Sequence, residues 1–201
     1  METSDYLRIL VEDIHSAIIA TIGDDGRPVT RAIDLMLWDD RGVYFLTARG
    51  KAFFDQITAQ GFVALTAVKD KRAVSLRGWV ENIGSEKREE IFEKNPYMQL
   101  IYPEGTRDVL DVFRLYKAEG SYFDISDPSR VYRDTVSIGG ARTNHGGYSI
   151  GYACIGCGRC AHVCPQDCID VSDVPAVIDQ HRCLHCGQCV DACPVGAITR
   201  L

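Results

Sequence analysis

The chain has 201 residues, 46% of them apolar, and a formal charge of −6. That length holds one large domain, or a medium one and a small one. No stretch dense in Lys and Arg stands out, and no apolar run approaches the roughly 20 residues of a membrane span. Nucleic acid and the bilayer are therefore not expected partners.

Thr3 or Ser4 is placed to cap a first helix, with Leu7, Leu10, Val11 and Ile14 on one face. A strand is predicted over 15–22, ending at Asp24-Asp25-Gly26, a hairpin signal. Residues 29–38 alternate and read as the second strand, and 43–47 as a short apolar third. Residues 51–60 read as a helix with Phe53, Phe54 and Ile57 on one side, stopped by Gly61. A second hairpin is predicted from 62–68 and 73–83 around Lys69-Asp70-Lys71-Arg72. Residues 86–94 form a charged amphipathic helix halted at Asn95-Pro96. Two last strands are expected at 113–117 and 121–125. Hairpins with inserted helices predict an antiparallel β-barrel of about six strands rather than a parallel nucleotide-binding sheet. Gly and polar residues crowd 137–147, which reads as a linker. The expected division is a barrel over 1–136, that linker, and a small α+β domain over 148–201.

All nine cysteines follow Gly151. Cys154, Cys157, Cys160 and Cys164 precede Pro165; Cys183, Cys186, Cys189 and Cys193 precede Pro194, the same pattern 29 residues later. Each set reads C-x2-C-x2-C-x3-C-P, the iron–sulfur run of two-cluster bacterial ferredoxins. Structural zinc held by C-x2-C pairs is the competing reading. Three cysteines spaced by two, then C-P, and all repeated, favour clusters. Resemblance to those ferredoxins implies that the fourth cysteine of each run serves the other cluster. One [4Fe-4S] site is then Cys154, Cys157, Cys160 and Cys193, and the other Cys183, Cys186, Cys189 and Cys164. Gly158 and Gly187 hold equal places in the two loops and let backbone approach the inorganic core. The ninth cysteine, Cys168, has Ala197 as its repeat counterpart and is expected to pack in the core. His162, His181 and His185 are expected to be solvated or beside ligands. The domain has few large apolar residues, so ligation is expected to replace its core. Free thiols and a start, Met1 to Asp5, without signal-peptide regions predict a reducing cytoplasm. Two ligated clusters bring the charge to about −10, which favours basic redox partners.

The front of the chain resembles the FMN-binding split-barrel family that includes pyridoxamine 5′-phosphate oxidase. The resemblance rests on Ala20-Thr-Ile-Gly-Asp-Asp-Gly-Arg-Pro28, Thr30-Arg-Ala-Ile33, Tyr44-Phe-Leu-Thr47, Gly50-Lys-Ala-Phe53 and Arg77-Gly-Trp-Val-Glu81, in that order. It implies FMN with Arg31, Thr47, Arg49 and Lys51 on the phosphate. The backbone of Arg31, Ala32 and Ile33 would run along the ring. It also implies a homodimer through the barrel. Physically, an Arg, a Lys and a helix N-terminus together suit a phosphate. The family's substrate-phosphate clamp near the C-terminus has no counterpart, and no catalytic residue is assigned. Tyr6, Trp38, Trp79, Tyr97, Tyr102 and Tyr122 are aromatic lining or core.

Three functions compete. The first is an oxidoreductase in which clusters and FMN exchange electrons to reduce a small organic substrate, with a redox protein as partner. The second is a flavoredoxin-like electron carrier without its own substrate. In the third, the barrel holds another cofactor, such as haem or a deazaflavin.

Overall fold

A computed structural model of the chain describes residues 1–127, 129–143 and 146–201. They form two compact units. One is Met1–Tyr122 with Val136–Thr143; the other is Phe123–Thr135 with Asn144–Leu201.

The first unit opens with helix α1 (Thr3–Arg8), which runs into a π-helical turn, Ile9–Ile14. The N-cap is Glu2, one residue before the predicted caps, and its N–H donates to Asp5 Oδ2 at 2.9 Å. Strands β1 (Ser16–Ile22), β2 (Pro28–Asp39) and β3 (Gly42–Ala48) follow. Helix α2 (Ala52–Gln60) ends at Gly61, whose φ of 60° is left-handed and suits a residue without Cβ. Next come β4 (Phe62–Lys69), β5 (Arg72–Asn82), α3 (Arg88–Lys94) and the short α4 (Met98–Ile101). The last strands are β6 (Leu110–Asp124) and β7 (Tyr132–Ile138).

The sheet order is β3-β2-β1-β4-β5-β6-β7, and a further pairing of β3 with β6 closes six strands into a barrel. Strand β7 is the extra one, on β6, and the expected strand set did not contain it. The predicted break within β6 is also absent. Gly120 does not end a strand. It lets β6 cross β5 so closely that a Cβ there would land inside the Ser75 carbonyl.

Strand β3 is buried on both faces, which explains its continuous apolar run. On one side, Phe45 stacks on Phe53 and Phe113, with centroids 6.1 and 5.9 Å apart. On the other, Tyr44 and Leu46 join Ile91, Phe92 and Met98 of the covering helices α3 and α4.

In the second unit, β8 (Tyr148–Ile150) pairs with β11 (Ile198–Arg200) and β9 (Ile169–Asp170) with β10 (Val177–Ile178). Helices α5 (Arg159–His162) and α6 (Gln188–Ala192) are single turns. The core here is Cys168, Ile169, Ala176, Ile178, Cys183, Cys189 and Ile198.

The unit boundary departs from the expected domain division. Residues 123–135 group with the cysteine-rich part. Tyr132 stacks on His181 at 5.4 Å, and Arg133 N–H donates to the His181 carbonyl at 2.8 Å. Arg133 NH1 lies 2.6 Å from His185 Nδ1. Within the expected linker, Ser137 and Ile138 end β7, and Asn144 and His145 lie outside the described residues. Among the described residues, no helix is long and apolar enough to cross a membrane.

Candidate functional site

The two cysteine runs fold into matching loops. Gly158 (φ 72°) and Gly187 (φ 80°) both stand at the N-cap of the following helical turn, in the left-handed region. Two positions earlier, Gly156 and His185 match as well, with φ of 67° and 57°. These turns aim backbone N–H groups at sulfur. Gly156 N lies 3.5 Å from Cys154 Sγ, and His185 N lies 3.4 Å from Cys183 Sγ.

Each loop borders a cavity, and the fourth thiol at each comes from the other run. Cys154, Cys157, Cys160 and Cys193 line a cavity of about 370 Å³, its mouth included. Cys183, Cys186, Cys189 and Cys164 line one of about 340 Å³. Among the described residues, no three donor side chains close on a single ion. Four thiols around each cavity fit a polynuclear cluster, which needs four sulfurs around a core of several atoms.

The chemistry of the thiols differs by place. Backbone N–H groups of Val195 and Ala197 hold Cys193 below its ordinary pKa. At Cys164 burial works upward, but backbone N–H groups of Cys168 and Gln166 and the Cys168 thiol win, and the net direction is down. Burial pushes Cys160 and Cys189 up. The two cysteines expected to cross are thus the two whose thiolates the C-P turns favour.

Cys168 is buried and packs in the small core, as expected. It also lines the second cavity, with Sγ 3.4 Å from Cys164 Sγ. Ala197 lines the first cavity in the equivalent place. His181 and His185 bond to Arg133 and so hold residues 123–135, a role the sequence does not show.

In the first unit the expected phosphate residues separate into two groups. Arg31 sits on β2, its guanidinium 4.5 Å over the Phe53 ring of α2. It donates to Thr21 Oγ1 at 2.6 Å and Gln56 Oε1 at 2.9 Å. Burial lowers its pKa. Thr47 lies two residues beyond Phe45 on β3, hence on the same face. Its hydroxyl is buried and has no hydrogen-bond partner among the described residues. Lys51 is the N-cap of α2, exposed, with extended backbone (φ −97°, ψ 139°). Arg49 goes elsewhere: NH1 bonds Asp111 at 2.7 Å and NH2 bonds the Asp108 carbonyl. Its place in the expected phosphate set has no support in this geometry, because two acceptors of the β6 end hold it. Sequence reasoning missed Thr21 and Gln56, which orient Arg31 from β1 and α2.

Ala32 and Ile33 pair with Ile18 and Ala17 of β1. Pairing of β2 with β3 begins only at Leu35. The second backbone edge of residues 31–33 is therefore outside the β2–β3 ladder, as a ring lying along it requires. An orphaned buried hydroxyl, an oriented Arg and a helix N-terminus fit the phosphate end of such a ligand.

Residues 153–197 match the family model of the 4Fe-4S dicluster domain. Over 94 residues the chain is 30% identical to a pyridoxine/pyridoxamine 5′-phosphate oxidase of Mycolicibacterium paratuberculosis. That alignment covers 46% of this chain and 43% of the relative, less than half its length. A NimC/NimA family protein of Clostridium acetobutylicum superposes with TM-score 0.57 at 20% identity, over 68% of this chain and 93% of that one. A haem-binding protein of Mycobacterium smegmatis does so with TM-score 0.51 at 10% identity, over 68% and 58%. These structural likenesses are of fold. Residues 4–119 match the family model of pyridoxamine 5′-phosphate oxidase. The chain belongs to that family and carries, C-terminal in sequence, a 4Fe-4S dicluster domain.

Proposed function

We propose that the protein is a cytoplasmic oxidoreductase in which two [4Fe-4S] clusters exchange electrons with FMN to reduce a small organic substrate. The observation that carries this reading is one chain joining an oxidase-family barrel to a dicluster domain. Clusters pass electrons singly, whereas a flavin collects two and delivers them together. Joining them in one chain gives a high effective concentration of one for the other. Cys154, Cys157, Cys160 and Cys193 would hold one cluster, and Cys183, Cys186, Cys189 and Cys164 the other. Arg31, Thr47, Lys51 and the first N–H groups of α2 would hold the FMN phosphate. Nine cysteines outside any disulfide suit a reducing compartment, and a net negative charge suits a basic redox partner.

The absorption spectrum of the purified protein tests the cofactor. Flavin bands near roughly 370 and 450 nm are expected over broad cluster absorption. A Soret band in their place would assign the barrel to haem. Arg31→Met and Lys51→Met should each weaken FMN binding about 10- to 100-fold, the worth of a charge-assisted hydrogen bond. Unchanged affinity in both variants would remove the phosphate assignment.

The barrel also carries an outward apolar face. Ile18, Ala20 and Ile22 of β1 lie beside Phe62 and Ala64 of β4 and Trp79 of β5. Phe62 and Trp79 pack edge to face at 5.2 Å, and Ile18 and Trp79 are half exposed. This face supports a homodimer through the barrel. Sedimentation should give twice the 22.3 kDa chain mass. Trp79→Arg should return it to the monomer, and a native monomer would refute the dimer.

A further inference from the structure

A chain of polar side chains far apart in sequence meets where β1, β2 and the loop before α4 converge. Ser16 Oγ donates to Asp34 Oδ1 at 2.5 Å. Tyr97 Oη lies 2.8 Å from Asp34 Oδ2 and 2.9 Å from His15 Nε2. His15 Nδ1 lies 3.2 Å from the Val11 carbonyl. A carbonyl only accepts, so Nδ1 carries a proton. With the imidazole neutral, Tyr97 has one hydrogen for two acceptors, His15 Nε2 and Asp34. With the imidazole protonated, both bonds are made: Nε2–H to the phenol oxygen, and phenol O–H to the carboxylate. The arrangement is that of a proton relay with the phenol in its middle.

The protein holds this chain rigidly. His15 has φ 73° and ψ −56°, a conformation a residue with Cβ adopts only under constraint. Its N–H closes the π-helical turn on Leu10 O, and its C=O accepts from Leu35 N–H at 2.8 Å. π-Turns concentrate at functional sites. Buried Asn95 donates to the Met36 and Ile91 carbonyls and fixes the loop that presents Tyr97. His15 and Asp34 nevertheless remain about one-third exposed, at 31% and 34%. Asp34 directly follows the segment 31–33 whose edge would carry the flavin ring.

We propose that Tyr97 is the catalytic acid of a substrate site for α,β-unsaturated carbonyl compounds, with His15 and Asp34 as its positioning and relay residues. This rests on the flavin reading above. Flavin, when bound and reduced, would supply the hydride, two electrons and one proton, that adds to the β-carbon as the C=C π bond breaks. The Tyr97 proton completes the saturated carbonyl product. The phenolate then takes the Nε2 proton of His15, and water restores it. Burial, then hydrogen bonding to the Asp34 carboxylate, pushes the Tyr97 hydroxyl upward, so it is protonated between turnovers. Burial alone would raise Asp34, but hydrogen bonds from Ser16 and Tyr97, with His15 nearby, hold it below the usual carboxylate range.

The test uses the full-length holo-protein, reduced under anaerobic conditions and mixed with 2-cyclohexenone or with ferricyanide. Ferricyanide takes electrons without a substrate proton. Tyr97→Phe should slow flavin reoxidation by the enone about a hundredfold, while flavin content and the ferricyanide rate hold. His15→Ala should slow the enone reaction and be rescued by added imidazole, which a merely structural role would not allow. Equal enone rates in native and Tyr97→Phe protein overturn the proposal. So does equal loss with both acceptors, or a native holo-protein that leaves the enone unreduced. A native protein whose spectrum shows no flavin removes the flavin reading and this one together, and the spectrum tells that failure from the others.

Discussion

Replacing Cys193 by Ala is expected to abolish the cluster of the other cysteine run. The first cavity is bordered by Cys154, Cys157 and Cys160, and Cys193 reaches it from 29 residues beyond its own repeat partner, Cys164. Removing one of four thiolates leaves an iron without its protein ligand and exposes it to solvent. Backbone N–H groups of Val195 and Ala197 also favour the Cys193 thiolate. Bound iron should fall by about half, from roughly eight to four atoms per chain. The magnetic coupling between two reduced clusters should vanish from the electron paramagnetic resonance spectrum. The remaining signal should disappear when Cys183, Cys186 or Cys189 is replaced as well. A Cys193→Ala protein that keeps the Cys154 cluster and loses the Cys183 cluster would contradict the crossed ligation.

Removing iron by chelation should unfold the second unit and leave the barrel folded. The core of the second unit is built from three cysteines, one alanine and three isoleucines. Its helices are single turns and its four short strands make two separate pairs, none of which is stable alone. Cluster binding therefore supplies folding free energy that burial does not. The first unit has a closed barrel with Phe45, Phe113, Ile19 and Leu115 fully buried and owes nothing to metal. Hydrogen exchange after chelation should show loss of protection over residues 146–201, with β1 to β5 and residues 110–122 of β6 still protected. The segment 123–135 should lose protection with the second unit, since His181 and His185 tie it there. Protection retained across both units would refute the dependence.

How much the sequence disclosed follows from how local each signal was. The cysteine ligands were legible because C-x2-C-x2-C places three sulfurs on one loop by covalent geometry alone. Strands β1 to β5 were legible because alternation and turn residues are local as well. Strand β7 was not. It alternates weakly and exists because β6 offers it an edge. The gap expected between 117 and 121 is absent because Gly120 lies close against β5, a contact that no local pattern shows. The partners of Arg49 were not legible because Asp108 and Asp111 are about sixty residues away. The Tyr97 chain had no local signal, since its partners are 82 and 63 residues distant.

The sequence by itself determined the redox class of the C-terminal part, the number of cysteine sets and an antiparallel barrel in front of them, which its family resemblance made a split barrel. Those properties depend on ligand chemistry, short-range spacing and the period of apolar residues. Only the tertiary structure decided which thiol faces which cavity, where the second unit begins, and that Thr47 holds a buried hydroxyl with no partner among the described residues. It also decided that His15, Asp34 and Tyr97 meet in one hydrogen-bonded chain. Each of these is a contact between strands or loops remote in the chain, and such contacts depend on barrel closure and packing, which no local pattern encodes.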